Sequence, residues 1–398
     1  MLRRRFTKAL LLVAGIALLA GTATVAASSH RSEADSYKVG IVYSRTGLLA
    51  AYGAEYVQGL RLGLKYATKG TNKVNGKTIE LSLADDAGDP AKAVSAGKDL
   101  IGQGYKILAG STSSGVALQM APLADQNHVL FISGPAASDA ITGINKYTFR
   151  SGRQTLQDID TAASFLRGTQ GKKVVVFAQD SVFGQGNFAA VNAILGGKGH
   201  NVSKILVPLS ATDFTPFAQQ AKQANPDLLF VAWAGTTAGA MWKALDQQGV
   251  FGVSNKVVTG LAERATWSTL GDQATKIQFL SHYVYTAPKN KVNDWLVAQM
   301  RKKGQTPDIF TPDGFNAALM IVQALKKGGD DVDKMISALE GYKFLGPKGQ
   351  NAVRPQDHAL LQPMFQVRLT KNGSRLVAKV LGTATPYETA PPIKVISR

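Results

Sequence analysis

Short β-rich runs alternate with longer amphipathic stretches along this chain of 398 residues, and no other feature constrains its fold as strongly. The run at 38–43 has the composition of a buried strand, and the stretch at 55–66 places Tyr56, Leu60 and Leu64 near one helical face. The first part of the chain, up to Arg150, also contains predicted strands at 78–84, 106–109 and 129–133 and predicted helices at 91–101 and 114–126. This alternation predicts a parallel sheet with helices on both faces.

The alternation begins again after Arg150, which predicts a second, similar half-chain. This half contains predicted helices at 155–167, 183–195, 214–224 and 237–248 and predicted strands at 174–178, 202–207, 228–232 and 256–259. A third section contains a predicted strand at 278–285, helices at 290–302, 313–327 and 331–339, and strands at 365–369 and 375–381. Because no linker rich in Pro, Gly or Ser separates the halves, we expect two α/β lobes joined by more than one crossing. A cleft at the carboxyl ends of their strands is the expected binding site.

The N-terminal segment 1–27 has the pattern of a signal peptide. Four of the residues 3–8 are basic, residues 9–20 form an almost unbroken apolar run, and small residues follow as far as Ala27. The pattern predicts export, by the general or the twin-arginine route, and a soluble mature chain in the periplasm or outside the cell. The chain contains no cysteine, which excludes disulfides and a lipid anchor attached to cysteine.

The formal net charge of +18 raises the question of an anionic partner. Outside the N-terminal segment, however, the basic residues are scattered in pairs that lie mostly at predicted helix ends. No basic stripe is interleaved with aromatic residues, so we expect no nucleic-acid partner.

The sequence offers little support for catalysis, a cofactor or a metal. Its five histidines are isolated, and the acidic residues at 85–89 fit helix caps better than a metal cage. The glycine-rich segment 184–189 follows a predicted strand, but the following strand does not end in the acidic residue of a dinucleotide site. We therefore expect no enzyme and no cofactor.

Two predicted strands are followed by hydroxyl groups. Thr112, Ser113 and Ser114 come after the strand at 106–109 and open a helix, where free backbone N–H groups attract anions. A second run, at 132–139, again places small residues and hydroxyls after a strand. Each run by itself is explained equally well by helix capping, but the two together would grip one carboxylate head.

Six short motifs resemble, in their order and spacing, one family of binding proteins. They are YSRTGLLAAYG at 43–53, DDAGDP at 85–90, GSTSS at 110–114, ISGPAAS at 132–138, YTFR at 147–150 and DSVFGQG at 180–186. From about residue 38 to residue 381, the chain resembles the type I periplasmic solute-binding proteins of branched-chain amino acid transporters.

The resemblance implies an α/β fold of two doubly wound parallel-sheet lobes, joined by three crossings, with the ligand cleft between them. It places 36–153 plus 286–357 in lobe 1 and 154–285 plus 358–398 in lobe 2. It also implies that the lobes close on a small-molecule ligand, that the closed form docks on the permease of an ABC transporter, and that the protein is a monomer.

The resemblance also implies a binding site in lobe 1. Ser114 matches the serine whose hydroxyl holds a ligand carboxylate, and Ala136 matches the residue whose carbonyl receives a ligand ammonium. Ser138 matches a hydroxyl residue that contacts both head groups. Thr112 and Ser113, in the same run as Ser114, are further candidates for ligand contacts.

Aromatic and acidic positions complete the predicted site. Tyr52 and Phe183 match aromatic positions that wall the pocket, and Trp233 and Thr236 lie near another family position whose usual glycine-tyrosine pattern has changed. Glu263 is the acid available to pair with a ligand ammonium, although it lies a few residues late. If Glu263 does not face the cleft, a plain carboxylate, an amide or an aromatic acid suits the site better than an amino acid.

The predicted function is therefore that of the exported substrate-binding subunit of an ABC importer for an amino acid or a related small carboxylate or amide. The alternative is a sensory protein that presents a small molecule to a receptor. A transcriptional regulator of related fold is disfavoured, because a signal peptide stands where a DNA-binding domain would be.

Overall fold

A parallel sheet forms the centre of the first lobe in the computed structural model, which describes residues 36–163, 166–261 and 263–396. The strand order is β2-β3-β1-β4-β5-β6, and only the β2–β3 pair among these neighbours is antiparallel. The strands are β1 (Ser36–Tyr43), β2 (Lys73–Val74), β3 (Lys77–Asp85), β4 (Ile107–Gly110), β5 (Leu130–Ser133) and β6 (Thr148–Arg150). The intervening helices are α1 (Ala50–Ala67), α2 (Pro90–Gly102) and α3 (Ser114–Gln126).

The acidic residues at 85–89 are used in turns and caps. Asp89 caps α2 by accepting hydrogen bonds from the N–H groups of Ala91 and Lys92, which confirms its predicted role. Asp85 accepts hydrogen bonds from the Thr46 hydroxyl and from backbone N–H groups after β1, and these bonds hold the pKa of its carboxyl well below the usual range. Within the described residues, no group of three or more acidic or histidine side chains is placed to hold a metal ion.

The second lobe is built on a sheet with the order β16-β15-β11-β10-β9-β7-β8. Its strands β7 to β11 pair in parallel with their neighbours, whereas β15 and β16 are antiparallel additions at one edge. The strands are β7 (Lys173–Gln179), β8 (Asn201–Val207), β9 (Leu228–Ala232), β10 (Val257–Thr259), β11 (Ile277–Ser281), β15 (Met364–Asn372) and β16 (Arg375–Ala384). The helices are α4 (Thr155–Ala163), α5 (Val182–Ile194), α6 (Thr215–Ala224), α7 (Ala238–Gln247), α8 (Val250–Val253) and α9 (Arg264–Leu270).

Alternate residues of β7 enter two different hydrophobic clusters. Val174 and Val176 pack with residues of α4 and α5, whereas Val175 and Phe177 pack with residues of α6 and α7. Because successive side chains of a strand point to opposite faces, this sheet is covered by helices on both sides. The predicted doubly wound arrangement is therefore confirmed.

The helices of the third section, together with a small sheet, complete the first lobe, whereas the section's predicted strands at 278–285, 365–369 and 375–381 correspond to β11, β15 and β16 of the second lobe. The first-lobe elements of this section are α10 (Lys291–Arg301), α11 (Thr311–Gly328), α12 (Val332–Leu339), β12 (Lys343–Gly346), β13 (Gly349–Val353) and β14 (Leu360–Leu361). Helix α11 lies against α1 at close range, since a Cβ on Gly314 would come within 1.8 Å of the Tyr56 carbonyl oxygen. The small sheet β12-β13-β14 and the short strand β2 were not predicted, because runs this short carry little periodicity.

The described chain passes between the two large sheets at three crossings, as expected from the resemblance. These lie between β6 and α4, between β11 and α10, and between β14 and β15. The segment after β16 then returns to the first lobe, where the N–H of Lys394 donates to Asp357 and the N–H of Ile396 donates to the Gln356 carbonyl. The lobe boundaries implied by the resemblance stay a proposal.

The predicted signal peptide lies outside the described residues. Within the part that the structure describes, no helix has the length and apolar character required to span a bilayer.

Candidate ligand-binding cleft

A cavity of about 510 Å³ lies where the carboxyl ends of strands from the two sheets face each other. Its volume is within the range of small-molecule binding sites. First-lobe segments, including the start of α11, contribute Leu48, Leu49, Tyr52, Ala87, Gly88, Pro90, Thr112, Ser113, Ser114, Gly115, Pro135, Ala137 and Phe310. The second lobe and the first crossing contribute Arg153, Gln179, Ser181, Val182, Phe183, Leu209, Ala234 and Leu261.

The hydroxyl run after β4 forms part of the first-lobe wall. Ser113 caps α3 through its Oγ, which accepts a hydrogen bond from the Val116 N–H. The Oγ of Ser114 accepts a hydrogen bond at 3.2 Å from the Ser138 N–H, and the Oγ1 of Thr112 is 2.6 Å from the Ser44 Oγ. These contacts hold three hydroxyl groups at the cavity before any ligand arrives.

Arg150 fixes the loop behind this wall. Its buried guanidinium donates hydrogen bonds to the carbonyl oxygens of Ala136 at 2.6 Å, Ser138 at 2.8 Å and Arg153 at 2.7 Å. Burial lowers the pKa of this guanidinium to about 10. Because the Ala136 carbonyl accepts from Arg150, it is not among the groups at the cavity wall.

Arg153 places a second buried guanidinium at the cavity itself. Its side chain is only 1% exposed, and its Nε donates to Asp158 Oδ2 at 3.1 Å while Nη1 donates to the Pro135 carbonyl at 3.1 Å. Burial raises the pKa of Asp158 to about 6, against the lowering effect of the Arg153 charge. Sequence reasoning missed Arg153, for which a polar residue just after a strand end, in the first crossing, was the available signal.

The described lining includes one positively charged side chain, Arg153, whose ion-pair partner Asp158 is buried outside the lining. Arg153 contributes to the wall, whereas none of the described lining residues is Asp or Glu. An anionic head group is therefore the charge that this cavity accommodates best.

Tyr52 and Glu263 meet across the cleft. The Tyr52 hydroxyl, from α1, donates a hydrogen bond at 2.7 Å to Glu263 Oε1 and accepts one at 3.0 Å from the Gly235 N–H. Glu263 is 5% exposed and lies behind the lining residues Tyr52 and Leu261. Burial raises the pKa of its carboxyl to about 7, because the charged form loses its hydration.

The second-lobe wall is mainly apolar. Phe183 stands at the beginning of α5, whose cap is the Ser181 Oγ, and Val182 and Leu209 lie at the exposed side of the cavity.

The glycine-rich segment 184–189 begins at a tight turn. A Cβ on Gly184 would lie 1.8 Å from the Gln179 carbonyl oxygen. The glycine is thus required by the tight strand-to-helix turn, which is the simpler explanation of the glycine-rich segment.

Trp233 and Thr236 are placed differently from the prediction. Trp233 is 3% exposed and packs against Phe177 and Phe214, with ring centroids 5.7 and 5.2 Å away. Its ring therefore belongs to the core of the second lobe, where aromatic packing contributes more than contact with a solvent-filled cleft. Thr236 touches the first lobe through its backbone, whose N–H donates to the Leu48 carbonyl at 3.2 Å.

The structure thus brings about half of the predicted residues to the cavity. Those at its wall are Tyr52, Thr112, Ser113, Ser114 and Phe183. Those behind or beside it are Ala136, Ser138, Trp233, Thr236 and Glu263. For every one of these residues, contact with a ligand stays a prediction.

Two doubly wound lobes around a cleft with a charged end and an apolar wall define a ligand-binding protein of the two-lobed class. The family model described as periplasmic binding protein matches residues 36–374. The chain belongs to this family, and within it to the type I binding proteins of branched-chain amino acid transporters.

Individual relatives support this assignment. A crystal structure described as an ABC-type branched-chain amino acid transporter from Rhodopseudomonas palustris CGA009 is 32% identical, with a TM-score of 0.74, and the match covers 90% of this chain and 100% of that one. A solute-binding protein of Rhodopseudomonas palustris BisB5, in complex with 3,4-dihydroxybenzoic acid, is 27% identical, with a TM-score of 0.80, over 88% of this chain and 98% of that one. The leucine-, isoleucine-, valine-, threonine- and alanine-binding protein of Pseudomonas aeruginosa is 25% identical over 83% of this chain and 89% of its own length.

The two Rhodopseudomonas palustris relatives are described as ABC transporter proteins, and the Pseudomonas aeruginosa relative is described as an amino-acid-binding protein. The expectation of a binding protein without catalytic activity is therefore confirmed at the level of the family.

Proposed function

We propose that this chain is the exported binding subunit of an ABC importer for a small carboxylate that has an apolar, preferably aromatic, body and no α-ammonium group. The observation that carries this proposal is the buried Arg153 guanidinium at a cavity whose described lining contains no acid. The proposal narrows the broader class of amino acids and related carboxylates or amides that the sequence predicts.

The charge distribution favours a carboxylate head. A ligand carboxylate would meet Arg153 together with the hydroxyls of Ser113 and Ser114 at the N-terminus of α3. A ligand ammonium would find no carboxylate at the described wall, because the nearest candidate, Glu263, lies buried behind Tyr52. A buried ammonium without a partner is costly, so an α-amino acid is the poorer ligand.

The rest of the cavity suits an apolar body. Phe183, Phe310 and Leu261 contribute to its wall, and Tyr52 packs on Phe310 with ring centroids 4.5 Å apart. Flat rings provide a large contact area and favourable edge or offset stacking for an aromatic ligand. The complex of the Rhodopseudomonas palustris BisB5 relative with 3,4-dihydroxybenzoic acid supports this choice.

The cellular setting follows from the N-terminal segment and from the family. Export to the periplasm or the cell exterior, with removal of residues 1–27, would place the protein as a monomer beside its permease. Closure of the two lobes on the ligand would create the form that the permease recognises.

A ligand panel tests the proposal. The chain is expressed in full, recovered from the extracytoplasmic fraction, and unfolded by heat with benzoate, 4-hydroxybenzoate, 3-phenylpropanoate, 4-methylpentanoate, phenylalanine, leucine and the amides of the acids. A ligand present at a hundred times its Kd adds about 2.7 kcal/mol to the free energy of unfolding. We expect one or more of the acids to raise the midpoint while phenylalanine and leucine do not. The reverse order would overturn the carboxylate assignment and restore an amino acid as the ligand.

A further inference from the structure

Tyr52 joins the two lobes across the cleft through a single hydroxyl group. The residue lies on α1 of the first lobe, whereas its two partners follow β9 and β10 of the second lobe. The hydroxyl donates once, to Glu263, and accepts once, from the Gly235 N–H, so its hydrogen-bonding capacity is largely used. This contact is formed by the protein alone and requires no ligand group.

The same contact controls access to Glu263. Tyr52 belongs to the cavity wall, and the carboxylate that it binds lies behind the wall. Asp308 and Glu55 repel a charge on Glu263, so the phenol proton is the favourable neighbour that the closed arrangement supplies. Because Tyr52 stands between the cavity and Glu263, a ligand ammonium would have to move the phenol aside to reach the carboxylate.

We propose that Tyr52 determines head-group specificity: its phenol, hydrogen-bonded to Glu263, covers this carboxylate at the cavity wall and so selects carboxylates without an α-ammonium over the corresponding amino acids. This inference rests on the proposed function. It adds a residue that acts by excluding a competing ligand, in contrast to the residues that attract the carboxylate.

Removal of the Tyr52 hydroxyl alone should weaken the preference for carboxylates over the corresponding amino acids. In Tyr52→Phe the ring can still pack on Phe310, but Glu263 loses the phenol and is left as a buried acceptor without that donor. A ligand ammonium can then provide the missing charged hydrogen bond, which corresponds to a gain of about tenfold or more in relative affinity.

The test measures Kd by titration calorimetry for phenylalanine and for 3-phenylpropanoate, which differ by the ammonium group. The measurements are made at pH 8, above the pKa of about 7 of Glu263, on the wild type, Tyr52→Phe and the double variant Tyr52→Phe/Glu263→Gln. Tyr56→Phe is the matched control, because Tyr56 lies one helical turn further along α1 and its buried hydroxyl is not at the cavity wall. Leucine and 4-methylpentanoate provide a second pair.

We expect the ratio of the amino acid Kd to the acid Kd to fall about tenfold or more in Tyr52→Phe. The ratio should stay at the wild-type value in Tyr56→Phe, and most of the change should disappear in the double variant. A purely structural role of Tyr52 would weaken both ligands by the same factor and leave the ratio unchanged, which would overturn the inference. If Tyr52→Phe does not fold, Tyr52→Leu removes the same hydroxyl and is judged by the same ratio.

The failure of this inference can be separated from the failure of the proposed function. If the wild type prefers phenylalanine or leucine to the matching acid, the proposed function is wrong and the specificity role of Tyr52 falls with it. If the wild type prefers the acid but Tyr52→Phe keeps the wild-type ratio, the proposed function stands and only the role of Tyr52 is wrong.

Discussion

The two walls of the cleft differ in chemistry and in the way they are held. The first-lobe wall presents the hydroxyls of 112–114, oriented by the backbone and by the loop that Arg150 fixes. The second-lobe wall presents Val182, Phe183 and Leu209 over an aromatic core. A hydrogen bond requires an atom at a defined position, whereas apolar contact tolerates small shifts. We therefore expect the first-lobe wall to bind the head group of a ligand and the second-lobe wall to bury its body.

Removal of the Arg153 charge at the polar end of the cavity should have the largest effect on stability and on ligand affinity. Arg153→Met alone leaves Asp158 buried without its partner and should cost about 3–5 kcal/mol of folding stability. Arg153→Met/Asp158→Asn removes both charges, so we expect it to fold while its affinity for the carboxylate falls about 100-fold, or about 2.7 kcal/mol. Urea unfolding and titration calorimetry measure the two quantities.

Arg375→Met is the control, because it removes the same charge from an exposed position on β16. It should leave both quantities near their wild-type values. Wild-type affinity in the Arg153→Met/Asp158→Asn variant would show that the hydroxyls alone recognise the head group.

Substitution of two aromatic residues, Trp233 and Phe183, distinguishes the core of the second lobe from the second-lobe wall of the cavity. Trp233→Ala should lower the free energy of unfolding by about 3–5 kcal/mol, because Trp233 is packed between Phe177 and Phe214. Phe183→Ala, at the half-buried wall, should cost about 1 kcal/mol of stability or less and weaken binding of an aromatic acid about tenfold. A Trp233→Ala variant of full stability and lost affinity would instead place Trp233 in the cavity.

The acid behind the second wall should make stability depend on pH. The pKa of Glu263 rises from 4.5 to about 7 on folding, so the folded state holds its proton more tightly than the unfolded state does. The resulting stabilisation is complete below pH 4.5 and is lost as the pH rises through about 7. Glu263→Gln keeps the neutral form, and we expect its free energy of unfolding to fall less than that of the wild type, by up to about 3 kcal/mol, between pH 4.5 and 7.5.

Urea unfolding at the two pH values measures this difference. Glu80→Gln, at an exposed position of β3, is the matched control and should follow the wild type. An identical pH dependence in Glu263→Gln and the wild type would mean that burial does not favour the neutral form of Glu263.

The smallest expected effects come from two adjacent serines in the first-lobe wall, one of which should affect ligand affinity and the other stability. Ser114→Ala removes a hydroxyl held at the cavity and should weaken carboxylate binding about tenfold, or about 1.4 kcal/mol. Ser113→Ala removes the cap of α3 and should cost about 1 kcal/mol of stability. Unchanged affinity in Ser114→Ala, measured by calorimetry, would remove Ser114 from the site.

Much of the fold could be predicted because burial leaves a local record. Buried strands of a parallel sheet are continuous apolar runs, and the helices between them repeat at helical spacing, so β1, β4 and β7 were predicted within one or two residues of their ends. The hydroxyls of 112–114 were predicted to lie at a ligand site, and the structure brings them to the cavity, because a strand end followed by a helix start is itself a local pattern.

Partners far apart in the chain could not be predicted, because local periodicity distinguishes buried from exposed positions but does not say which buried groups meet. Tyr52 and Glu263 are separated by 211 positions, and their hydrogen bond exists only because two lobes face each other. Trp233 was assigned to the pocket because it lies near a family position, and an aromatic residue at a strand end has the same local pattern in a core as in a cavity wall.

The sequence by itself thus determined the alternation of strands and helices, the two-lobed class and the strand ends that carry the polar groups. The tertiary structure alone decided that Arg153 supplies the charge at the cavity, that Trp233 supports the wall from behind and that Tyr52 covers Glu263. The physical reason is that backbone hydrogen bonding and hydrophobic periodicity act over a few residues, whereas the charge and shape of the cleft depend on contacts between the lobes.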